Sequence, residues 1–241
     1  MNSENKIFYD FHLHSCLSPC GDSDMTPNNI INMAKLKGLN AIALTDHNTC
    51  GNCRAIMKVG EREGITVLPG MELCTSEDIH VVCLFSNLDG ALCFEQEVKK
   101  VMPAVKNRPE IFGEQLMLDD MDNIVGREDI LLISASGISV DNVLLMCRRF
   151  SGTAFPAHAD KAANGIIGIL GAVPPEAGFK TAELSAHCEA EKFIQENQSI
   201  RGLYILRDSD AHYLWDISEP ENVLPTVENK RESIISFIDG I

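Results

Sequence analysis

Short apolar runs recur along the chain, and helical segments separate most of them. "KIFYDFHLH", "AIALTDH", "ITVLPGMEL", "IHVVCLF", "TAFPAH", "TAELSA" and "GLYILRDSDAH" each read as a strand. Between the first two, Thr26 and Pro27 open a helix as N-cap and first helical residue; Ile30, Met33 and Ala34 follow its spacing, and Lys37-Gly38 ends it. Further helical segments fall at 53–63, near 164–170 and near 188–197. A crossover helix returns the chain to begin the next strand in the same direction, so this alternation predicts an α/β fold with a parallel sheet or barrel. Residues 87–150 break the rhythm. Helices near 92–101 and 139–149, the second with Ser139 as its cap, flank an irregular stretch, so this segment reads as a mainly helical insertion between two barrel strands.

A chain of 241 residues suits one large domain or two small ones and is long enough to bury a real core. Its hydrophobic residues, 45% of the total, never run to the about 18 in succession that a membrane span needs. The start, "MNSENKIFYD", has no basic stretch followed by an apolar one, so the expectation is a soluble, cytoplasmic protein without a membrane partner. Nine cysteines, an odd number, sit in apolar contexts such as "HVVCLF" and "LLMCRRF", which suggests reduced thiols. The single CxxC, Cys50 to Cys53, reads as a loop coincidence because no second pair exists. A formal charge of −15 repels long polyanions, so no long nucleic acid is expected as a partner. It leaves room for a small anionic substrate, since bound divalent cations reverse the sign locally.

Six of the seven histidines end or lie in the expected strands: His12 and His14 in "DFHLHS", His47 in "LTDHN", His80 in "IHVV", His158 in "PAHADK" and His212 in "SDAH". In a strand, residues two apart share a face, so His12 and His14 point the same way, as do Asp210 and His212. Glu72 ends "PGMEL". In α/β folds the strand ends carry the active site, so these side chains should converge on one rim. Imidazole and carboxylate together suit zinc, manganese or iron, and donors too numerous for one tetrahedral ion imply a multinuclear site. His187 reads as structural.

The motifs "DFHLHS", "LTDHN", "PGMEL", "PAHADK" and "SDAH", in that order, resemble the PHP (polymerase and histidinol phosphatase) domain family, over about residues 8 to 215. The resemblance implies a distorted (β/α)7 TIM-like barrel, one domain over 1–241 with 87–150 inserted, and two or three divalent ions. By this resemblance His12, His14, Glu72 and Asp210 hold the first ion. Glu72 bridges to a second held with His80 and His158, and His47 and His212 hold a third. The family's further third-ion ligand, commonly His or Asp, has no histidine here. Asp22 fits best when "TP" is aligned, with Cys20 and Asp24 as alternatives.

The function expected is hydrolysis of phosphoesters, small-molecule or nucleotide monoesters first, by a hydroxide bridging two ions. Glu72 and Asp210 then serve catalysis through the ions. Lys161, where the family often carries Arg, is a candidate phosphate contact, and Asp46 is a candidate orienter of a ligating histidine. The alternatives are a nuclease acting on short oligonucleotides and a non-catalytic metal-binding regulatory domain. Related barrels hydrolyse C–N bonds with a carboxylated strand-end lysine, and no such lysine stands out here.

Overall fold

The computed structural model describes residues 6–225 and 228–241. The first strand, β1 (Ile7–Leu13), pairs in parallel with β2 (Ala41–Leu44), and β2 with β3 (Thr66–Cys74). The intervening helices are α1 (Pro27–Leu36) and α2 (Cys53–Glu63). Thr26 caps α1 by accepting a hydrogen bond from the Asn29 N–H, and Gly38 follows the helix with φ +81°.

The next strand breaks the parallel expectation. Only residues 75–79 separate β3 from β4 (His80–Phe85), too few for a crossover, so β4 returns antiparallel with Cys74 opposite His80. β7 (Gly152–Pro156) pairs antiparallel with β4, Phe85 opposite Gly152, and so runs parallel to β3. With the short β10 (Val223–Leu224) antiparallel to β1, these strands form one curved sheet ordered β10-β1-β2-β3-β4-β7. The parallel pair β8 (Thr181–Ser185) and β9 (Tyr204–Asp208) fills the remaining gap. The Ala159 N–H donates to the Glu183 carbonyl at one seam, and Leu13 bridges Ala211 at the other. Seven strands thus ring a distorted barrel, with α6 (Ile166–Leu170) and α7 (Ala190–Glu196) in the last connections.

Between β4 and β7 the chain forms α3 (Leu88–Lys99), the short α4 (Pro109–Phe112) and α5 (Val140–Arg148). It also forms a hairpin, β5 (Leu116–Leu118) with β6 (Ile124–Arg127), which the sequence reading did not include. Ser139 precedes α5 but makes no side-chain cap; the Glu77 carboxylate accepts from the Val140 N–H instead.

The barrel interior is an apolar cluster of Ile7, Tyr9, Phe11, Leu68, Val82, Leu84, Phe155 and Leu206, closed below by Ile234 and Ile238 of α8 (Arg231–Ile238). The outward faces pack on the helices through Leu13, Leu44, Met71, Phe85 and Phe94. β1 changes phase partway. Its pairing with β2 shifts register between Asp10 and Leu13, and while Ile7, Tyr9 and Phe11 point inward, Leu13 points outward. That irregularity turns His12 and His14 into the barrel mouth above Phe11.

Candidate metal centre

The Glu72 carboxylate stands at the middle of the mouth. It is buried, on the inward face of β3 that also carries Leu68. Its Oε1 lies 2.9 Å from His80 Nδ1, 3.1 Å from His158 Nε2 and 3.3 Å from His12 Nε2. Its Oε2 lies 3.0 Å from His47 Nδ1 and 3.4 Å from His14 Nε2. Asp210 Oδ1 approaches His12 Nε2 at 3.4 Å and His14 Nε2 at 3.2 Å. Because β4 runs antiparallel, His80 reaches this rim from the beginning of its strand. His158 and Asp210 follow their strands with φ of +30° and +54°, a left-handed backbone that re-aims each side chain toward the mouth.

A surrounding layer fixes the imidazole protons. The Glu183 carboxylate, fully buried, accepts from His12 Nδ1 at 2.8 Å and from the His158 N–H at 3.0 Å. A carboxylate only accepts, so the His12 proton sits on Nδ1 and the neutral ring's lone pair on Nε2. Ser18 Oγ gives its one proton to Asp46 Oδ1 and accepts from the His47 N–H. It therefore also accepts from His14 Nδ1 at 3.0 Å, leaving that ring's lone pair on Nε2 as well. His212 Nδ1 donates to the Asp210 carbonyl at 2.7 Å, with the same result. Asp46, suggested by the sequence as an orienter of a ligating histidine, reaches His14 through Ser18. Glu183 and Ser18 were not picked out; Glu183 did leave a signal, a lone carboxylate inside the apolar strand "TAELS".

Two consequences follow. His12 Nε2 and His14 Nε2 lie 3.3 Å apart, two lone pairs with no proton between them in the neutral rings. Glu72 Oε2 and His47 Nδ1 are buried without a hydrogen-bond partner, although they lie near each other. Donor atoms that converge without satisfying one another suit a cation, and the donor set fits divalent metal ions.

The electrostatics agree. Burial opposes a charge on His12 and His14, yet the carboxylates override it. Glu183, Glu72 and Asp210 raise His12 well above the usual imidazole range, and Asp210 and Glu72 lift His14 to about 9. Glu72 resists burial likewise: His80, His12 and His47 hold it well below the carboxylate range. Burial lowers His47 to about 4, against the pull of Glu72, and burial with the neighbouring His14 lowers His212 to about 4. Cations held at this centre would compete with protons for His12 and His14.

Among the described residues three groups bring their ligand atoms within 4.8 Å of one another: His12, His14, Glu72 and Asp210; His47, Glu72 and His80; and His14, Cys20, His47 and His212. The first is the set expected for the first ion. His158 contacts Glu72 but joins none of the groups. Asp22, expected beside His47 and His212, is not brought there. Its carboxylate accepts from the Asp24 N–H in a local turn, and Cys20 occupies the position instead. Asp24 and His187 are exposed, and neither joins these groups. Lys161 Nζ lies 2.7 Å from Asp210 Oδ2.

A family model described as "PHP domain" matches residues 10–161. A curated 5'-3' exoribonuclease of Haemophilus influenzae is 32% identical over 79 residues, 32% of this chain and 28% of that protein. The lesion-specific endonuclease Q of Pyrococcus furiosus superposes with a TM-score of 0.70 at 18% identity, covering 98% of this chain and 56% of that one. An endonuclease Q in complex with a 27-mer duplex substrate with an abasic lesion at the active site superposes with a TM-score of 0.68 at 18% identity, covering 98% of this chain and 57% of that one. A Bifidobacterium adolescentis protein described as a metal-dependent phosphoesterase superposes with a TM-score of 0.61 at 17% identity, covering 90% of this chain and 92% of that one. The chain thus spans about a quarter of the exoribonuclease and about half of the endonuclease.

Proposed function

Because the chain belongs to the PHP domain family, we propose that it is a metal-dependent phosphoesterase whose centre lies at the barrel mouth around Glu72. The observation that carries the reading is the pair of imidazole lone pairs, 3.3 Å apart and facing Glu72 and Asp210. Divalent ions bound there supply a water ionised near neutral pH and neutralise charge on the phosphoryl oxygens.

The chain's own residues have separate tasks. Glu72, with both oxygens surrounded by imidazoles, is the carboxylate suited to bridge ions, and its burial excludes bulk water. Glu183 and the Asp46–Ser18 pair keep His12 and His14 in the ligating tautomer. Lys161 holds the outer oxygen of Asp210, and its half-exposed ammonium faces the mouth where a phosphate oxygen would arrive. Asp210 and neighbouring carboxylates raise its pKa against the effect of burial, which keeps it cationic. The chain is read as one barrel domain over 1–241, with 87–150 leaving and rejoining the sheet at the paired residues Phe85 and Gly152.

The first substrate class is a small-molecule or nucleotide phosphomonoester, in keeping with the charge of −15. A second reading, cleavage of short oligonucleotides, is favoured by the similarity to a curated exoribonuclease. No described helix is long and apolar enough to cross a membrane, and all nine cysteines are free, which supports a reducing, cytoplasmic setting. Zinc, manganese and iron all suit the donors. Elemental analysis of gently purified protein, paired with a panel of phosphomonoesters, 5'-phosphorylated oligonucleotides and abasic duplex DNA, tests the reading. Two or three equivalents and turnover of one class are expected; metal-loaded protein inert across the panel overturns it.

A further inference from the structure

Cys20 sits on a tight loop between β1 and α1. The Ser18 N–H donates to the Ser15 carbonyl, the Gly21 N–H to the Ser18 carbonyl, and the Asp22 N–H to the His212 carbonyl. A Cβ on Gly21 would stand 2.1 Å from the Ser15 carbonyl oxygen, so only glycine lets the loop close this tightly. The closure turns Cys20 toward His14, His47 and His212 and leaves Asp22 to its own turn. The His14 ring lies 4.4 Å from that of His212 and 4.7 Å from that of His47. His47 is 5% exposed, and its Nδ1 has no hydrogen-bond partner.

We propose that the Cys20 thiolate, with His47 and His212 and beside the His14 ring, forms a sulfur–imidazole position that selects a soft or borderline divalent ion of the zinc and cadmium class over manganese or magnesium. It rests on the metal-centre reading above and adds that this position differs in preference from the oxygen-rich ones around Glu72 and Asp210. Thiolate donors favour soft cations, whereas a carboxylate in the same place suits hard ones. On binding, the S–H bond breaks, the sulfur pair forms the bond to the ion, and the proton leaves to solvent. Exposure of Cys20 at the mouth gives an ion a way in.

Metal-free wild type, Cys20→Ser and Cys20→Asp are titrated with cadmium, cobalt and manganese. The wild type should develop a sulfur-to-metal charge-transfer absorption worth one equivalent, and Cys20→Ser should lose both the band and that equivalent. Cys20→Asp should shift preference toward manganese about tenfold. A wild type that binds metal without the band, or a band that survives Cys20→Ser, overturns the proposal and leaves the metal centre intact. A wild type that binds no metal overturns both. Should the variants fail to fold, alkylation of the wild type decides. Iodoacetamide labelling of Cys20, read by peptide mass spectrometry, should slow about tenfold on cadmium loading while exposed Cys93 is unaffected. Equal labelling of Cys20 with and without cadmium refutes the proposal.

Discussion

Glu183→Gln tests whether an outer carboxylate governs the centre. The substitution keeps volume and removes one acceptor. Glu183 accepts from two donors, His12 Nδ1 at 2.8 Å and the His158 N–H at 3.0 Å, in a fully buried place. A glutamine has one oxygen for these two. If the oxygen stays with His158, the amide N–H₂ faces the His12 Nδ1–H, and relief requires moving the His12 proton to Nε2, where it blocks the ligating lone pair. If the amide turns over, the backbone N–H of His158 faces a donor and has no other tautomer to adopt. A buried group left in this way costs about 1–3 kcal/mol. Outer-shell changes of this kind weaken metal binding about ten- to hundredfold, about 1.4–2.7 kcal/mol. Competition with a chromophoric chelator at fixed pH measures the change, and urea unfolding of the metal-free variant checks the fold. A folded variant whose affinity falls by less than about threefold, under about 0.7 kcal/mol, refutes the reasoning.

Three further outcomes are expected. Chelating the metals should lower the melting temperature by roughly 8–16 °C, because ligand at 1,000 times its Kd contributes about 4 kcal/mol and each kcal/mol moves a chain of this size by about 2–4 °C; scanning calorimetry with and without chelator checks this. Gly21→Ala should displace the Cys20 loop by its clash with Ser15, costing about 1–3 kcal/mol and about one metal equivalent, read by unfolding and elemental analysis. Asp239→Asn should destabilise the chain by about 1 kcal/mol in urea without changing metal content. It weakens a solvent-screened pairing of buried Asp239 with half-exposed Arg148, and its contact with Thr153, on the side of the barrel away from the mouth.

The order of strands and helices, and six of the histidines, were legible because each depends on local pattern: apolar runs, a Thr-Pro helix start, alternation along a strand. The direction of β4 was less accessible. "IHVVCLF" has the same composition in either direction, and only the five-residue link to β3 excludes a crossover helix. The hairpin β5–β6 escaped because "LML" and "IVGR" are short and the second is largely exposed, with little apolar alternation to mark them. Asp22 was preferred over Cys20 on alignment and charge. The choice turned on loop closure at Gly21, a contact of backbone with backbone that residue types do not announce. Glu183 lies 171 positions from the histidine it orients, beyond any spacing rule.

The pairing of Phe85 with Gly152 has a consequence for how the molecule can vary. The segment between them begins and ends on two residues held side by side by β4 and β7, so the sheet fixes its endpoints whatever its length. Closing a longer loop is inexpensive, about 0.6 kcal/mol for each doubling of flexible length. Insertions within 87–150 therefore strain the ring of ligands little. A single added residue in 75–79 is different, since any slip of β4 against β3 that it causes moves His80 by about 3.3 Å and turns it to the other face. One barrel can thus lengthen the exposed loops of the larger segment at little cost while the short link stays fixed in length.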